Sequence, residues 1–70
     1  MNMERRLAKN IKAARKDAQV SMRALAERIG VGHITIRNYE TGNTAPPVPV
    51  FLRICRALNT TAGELLKGLE

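Results

Sequence analysis

Seventy residues with a net charge of +6 allow one small domain, spanning residues 1–70, in which about 60% of the unfolded chain's surface can be buried. That size leaves little room for an enclosed active site, and the single Cys55 and single His33 exclude a disulfide framework or a Cys/His zinc site within the chain. No run approaches the ~18 apolar residues of a membrane span, so the expectation is a soluble cytoplasmic protein, with no cofactor or small-molecule ligand evident, whose charge draws it to nucleic acid.

Only Phe51 and Tyr39 are aromatic, so the core is expected to be aliphatic, which suits packed helices better than sheets. From Met3 to Ala18 the residues Leu7, Ile11, Ala14 and Ala18 recur at helical spacing and predict a first helix. Arg15 falls on the edge of that stripe, four residues past Ile11, and requires an acidic partner inside. Ser21 is placed to cap a second helix whose inner face is Leu25, Ala26 and Ile29, with Gly30 ending it; Ala24 stands where a capping-box Glu would. After the tight Val31-Gly32 connection the periodicity resumes at Ile36 and Tyr39, predicting a third helix from Gly32 or His33 to Thr41 with Gly42 as its stop. Glu40, four residues past Ile36, is the natural mate of Arg15, so a largely buried ion pair between the first and third helices is predicted.

Asn43 to Pro49 holds all three prolines and reads as a loop, with Pro49 suited to the first turn of a fourth helix. Val50, Phe51, Ile54, Ala57 and Leu58 form that helix's inner face and Asn59 closes it; Thr61 then caps a short last helix through Glu64, Leu65 and Leu66. Cys55, on the inner side of the fourth helix, reads as a packing residue.

At about 100° per residue, His33, Ile34, Arg37, Asn38 and Thr41 share the outer arc of the third helix, opposite Ile36, Tyr39 and Glu40. In a major groove Arg37 offers a fork to guanine or phosphate, Asn38 a bidentate pair to adenine, and Ile34 an alkyl group for a thymine methyl. Two residues of the arc have a plainer explanation: Ile34 is then a stray exposed apolar residue, and His33 a solvated residue or a local cap rather than a base or phosphate contact. Thr35, Thr41, Asn43 and Thr44, with Lys12, Arg23 and Gly32, are the expected phosphate contacts.

The stretch from Ser21 through Leu25-Ala26-Glu27-Arg28-Ile29-Gly30-Val31-Gly32, followed by Ile36, Tyr39-Glu40 and Gly42, resembles the lambda-repressor/Cro-like helix-turn-helix family, also called the XRE family. The likeness continues through Pro46, the helix Leu52-Arg53-Ile54-Cys55-Arg56-Ala57-Leu58 and Glu64-Leu65-Leu66, and so covers nearly the whole chain. It implies an all-α, compact five-helix DNA-binding domain with the helix-turn-helix formed by helices two and three. His33, Ile34, Arg37 and Asn38 match positions that touch bases in the family, and Arg15 and Glu40 match its internal ion pair. Two positions depart from the pattern: Met22 replaces a Gln that braces the DNA backbone, and Gly32 replaces the usual Ser or Thr cap.

These readings point to a sequence-specific transcriptional regulator, a repressor binding double-stranded DNA at a pseudo-palindrome as a homodimer. Leu65, Leu66 and Leu69 are the expected dimer interface, against the alternative that Leu65 and Leu66 close the monomer core. An antitoxin-type module that binds a partner protein and represses its own operon is the competing class. An enzyme is not expected, because the chain has no paired carboxylates, no Ser/His/Asp set and no phosphate-cradling glycine loop.

Overall fold

The computed structural model describes residues 2–69, and within them three of the five helices begin at a residue whose side chain caps the first turn. Asn2 caps α1 (Met3–Asp17) by accepting from the Arg5 amide at 2.8 Å, and Glu4 in the first turn with Arg15 and Lys16 in the last suits the helix dipole. Ser21 caps α2 (Met22–Ile29) through the Ala24 amide at 3.0 Å, and Gly30 ends it in the left-handed conformation at φ 76°. Gly32 starts α3 (His33–Thr41) with no side-chain cap bond, and Gly42 stops it at φ 79°. Thr61 caps the short α5 (Ala62–Leu65), accepting from the Glu64 amide at 3.1 Å.

Three sequence expectations shift. Ala18 is exposed rather than part of the inner stripe of α1: the helix stops at Asp17, Gln19 turns at φ 59°, and Ala8 is buried instead. The loop after Gly42 ends sooner than Pro49, because α4 spans Val48–Ala57 with Pro47 as its cap. A proline at the second helical position costs nothing there, since the first four amides of a helix have no acceptor within it. Leu66 is the C-cap of α5 rather than part of it.

α3 packs against both α1 and α2, α4 against α2, and α5 against α1 and α4. Five side chains are fully buried, one from each helix: Ile11, Leu25, Ile36, Ile54 and Leu65. Burying each contributes roughly 1.5–3 kcal/mol, so no helix is a passenger. Helix ends are tied across the packing. Arg53 on α4 donates to the Ile29 carbonyl that ends α2, and Arg28 on α2 donates to the Ala57 carbonyl that ends α4, each at 3.2 Å. Asn10 on α1 donates to the Leu65 and Lys67 carbonyls at 2.8 and 2.9 Å, which holds α5 in place.

The inner edge of α1 carries a charge. Arg15 Nε lies 2.5 Å from Glu40 Oε2 and its Nη2 3.0 Å from Oε1, a two-pronged pair, while Nη1 donates to the Val20 carbonyl at 2.8 Å. The side chains are 10% and 4% exposed, so removing either partner leaves a charge that water barely reaches. Glu40→Ala should therefore lower the unfolding free energy by about 3–5 kcal/mol. Urea titration followed by circular dichroism measures this, and a loss below ~1 kcal/mol would mean that Arg15 finds solvent when its partner is gone.

Candidate nucleic-acid interface

α3 is anchored from behind. Ile36 and Tyr39 are buried and Glu40 is held by Arg15, so the helix cannot roll, and its other arc faces outward. His33, Ile34 and Arg37 on that arc are exposed, Ile34 by 54%, and Asn38 is half-buried at its edge. The connection out of α3 wraps around the Asn38 carbonyl, which accepts from the amides of Gly42, Asn43 and Thr44. Asn43 Nδ2 also donates to Asn38 Oδ1 at 3.4 Å, a long bond that lays the Asn43 side chain back toward the reading arc. The carboxamide of Asn38 is thus oriented by its own loop.

The expected phosphate contacts lie on several elements. Asn43, Thr44 and Gly32 are exposed at the two ends of α3, Thr35 is half-buried, and Lys12 and Arg23 are exposed on α1 and α2. Thr41 donates its hydroxyl proton to the Asn38 carbonyl at 3.3 Å, so it must rotate before it can donate to a phosphate, which only accepts. At Gly32 the first amides of α3 have no helical acceptor and sit at the positive end of the helix dipole, an arrangement that favours an anion even without a side-chain oxygen. Met22 is half-buried against the core, as an apolar replacement there would be.

Among the described residues Arg15–Glu40 is the one salt bridge, so no exposed cation there is held within 4 Å of a described acidic side chain.

One of the C-terminal leucines needs a correction. Leu65 is 1% exposed and belongs to the core, closing the monomer, and Leu69 is half-buried. Leu66 is the expected leucine that stays exposed, by 39%, and it shares its apolar surface with Val48 at 70% and Leu52 at 50%. With Leu7, Pro46 and Phe51 they line an open groove of about 360 Å³. Sequence reasoning missed Val48 and Leu52, although a signal was present. The fourth helix carries more aliphatic residues than one face can bury, and Val48 and Leu52 are spaced four apart as a second stripe.

A family model described as helix-turn-helix matches residues 11–65. No curated protein matches the sequence. Among solved structures the chain is similar to the clp gene regulator ClgR from C. glutamicum, at 23% identity and a TM-score of 0.90, over 94% of this chain and 85% of that one. At that identity the likeness speaks to the fold.

Cys55 is 6% exposed, and burial pushes its thiol pKa up. Because the neutral thiol is the nearly inert form, labelling by a thiol reagent near pH 8 should be at least about tenfold slower in the native protein than in denaturant. Equal rates would show that α4 opens readily.

Proposed function

The chain belongs to the helix-turn-helix family, and from that premise we propose that it regulates transcription by reading a short DNA sequence with α3 seated in a major groove. The observation that carries this reading is the outward arc of α3. It bears a guanidinium, a carboxamide, an imidazole and one exposed alkyl group on a protein of net charge +6. Arg37 is the candidate for guanine, Asn38 for adenine, Ile34 for a thymine methyl and His33 for a base edge or a flanking phosphate. Lys12, Arg23, Gly32, Thr35, Thr41, Asn43 and Thr44 fix the register on the backbone, where contacts carry no sequence information.

One nine-residue helix reads only a few base pairs, so the useful unit is a homodimer on a pseudo-palindrome with half-sites about one DNA turn apart. The groove edged by Val48, Leu52 and Leu66 is the surface we assign to the second copy, in place of Leu65 and Leu69. Repression is the simplest output, because occupying a promoter needs nothing beyond binding it.

Selection from random DNA with the purified protein, followed by footprinting, tests the reading directly. If a dimer neutralises on the order of eight phosphates, the log-log dependence of affinity on salt should have a slope near −7, and an affinity indifferent to salt would exclude the mechanism. Arg37→Ala should cost about 1–3 kcal/mol on the selected site and relax preference at one position. The same loss on random DNA would make it a phosphate contact instead. Leu52→Glu should shift the protein toward monomer in sedimentation and weaken binding to the full palindrome more than to a half-site. Unchanged sedimentation would remove the groove from the assembly.

A further inference from the structure

Arg5 belongs to no site so far described, yet the fold places it beside the end of the reading helix. Gly42, the C-cap of α3, sits so close to α1 that a Cβ built on it would fall 3.4 Å from Arg5 Cγ, 3.5 Å from Arg5 Cα and 3.7 Å from its backbone nitrogen. The backbone and stem of Arg5 therefore lie on Gly42, one residue from Asn43, whose side chain reaches back to Asn38 on the reading arc. Arg5 itself is exposed, and it forms no ion pair with its exposed neighbour Glu4.

We propose that Arg5 is a DNA-positioning residue, its guanidinium gripping, together with Asn43 and Thr44, the phosphate that flanks the C-terminal end of α3. The inference rests on the reading of α3 as the groove-binding helix and adds a contact from α1. A guanidinium suits this role because its planar fork matches two phosphate oxygens at once. The close seat on Gly42 also matters, since the Cγ methylene of the side chain already rests against that glycine before DNA arrives.

Arg6 supplies the control. One residue along, its guanidinium is turned the other way: a Cβ built on Gly68 would meet Arg6 Nε at 2.6 Å and Nη2 at 2.9 Å. Arg5 and Arg6 carry equal charge on the same helix, but one rests at Gly42 and the other at Gly68. Any effect of net charge alone must appear equally in both.

The experiment compares wild type, Arg5→Gln, Arg6→Gln and Arg5→Lys on selected and random duplexes, by fluorescence anisotropy over a salt series. Glutamine keeps the aliphatic stem that rests on Gly42 while removing the charge, and thermal melts show whether each variant is folded. Arg5→Gln should reduce the salt slope by about 0.9 per bound protomer and weaken binding roughly five- to tenfold near 0.1 M salt, equally on both duplexes. Arg6→Gln should change the slope by less than about a third of that, and Arg5→Lys should restore most of it. Ethylation of DNA phosphates adds a positional readout. One phosphate at the flank of the site should interfere with wild type and Arg6→Gln but not with Arg5→Gln. Equal slopes for Arg5→Gln and Arg6→Gln, or an unchanged interference pattern, overturn the assignment. Failure of the wild-type protein to bind any duplex would instead sink the groove-binding reading on which it stands.

Discussion

The contact between Arg15 and Glu40 decides which way the third helix faces. Its two prongs join α1 to α3, and the remaining guanidinium nitrogen holds the Val20 carbonyl in the turn that leads to α2. One side chain thus fixes three consecutive parts of the chain. A domain of this size has a total stability of only about 4–10 kcal/mol, and breaking a buried pair costs a large share of it. Replacing both partners by apolar residues often restores stability, so the advantage of charge here is orientational. The carboxylate at position 40 meets the guanidinium on the inner side of α3, which leaves Ile34 and Arg37 facing out with Asn38 at the edge.

Around that constraint the molecule separates holding from reading. The buried residues of α3 are Ile36 and Tyr39, while the outward residues make no contribution to the core. The outer arc is free to vary in chemistry without loosening the fold. The short connections serve the same division. Gly30 and Gly42 take left-handed conformations that a side chain would strain, which lets the chain turn sharply between α2 and α3 and again where α3 ends.

Much of this was legible in the sequence because local signals and long-range packing agree. Ser21, Gly30, Gly42 and Thr61 mark helix ends through chemistry that acts within three or four residues, and the 3.6-residue period selects Ile11, Leu25, Ile36 and Ile54 for the core. Arg15 and Glu40 each follow a core isoleucine by four residues, so spacing alone turns both inward. What spacing cannot give is the neighbour. Ala18 continues the stripe of α1 on paper, but the backbone leaves the helix before reaching it, and Ala8 lies inside only because other helices cover it. Leu65 and Leu52 are both leucines on amphipathic segments. One is sealed by α1 and α4 and the other is half in water, a difference set by which helix lies across each. The nearness of Arg5 to Gly42 depends on how α1 meets α3 thirty-seven positions later, and no periodicity encodes it.

The centre where each of the five helices places one sealed aliphatic residue has a mechanical consequence. With every segment pinned to the same point, no subset can swing or slide without opening the whole, and the protein meets its target as a stiff block. Where a duplex and a stiff block differ in curvature, the duplex must bend. On the proposed reading of α3 as the groove-binding helix, preference would then depend partly on how easily base steps outside the groove contacts yield.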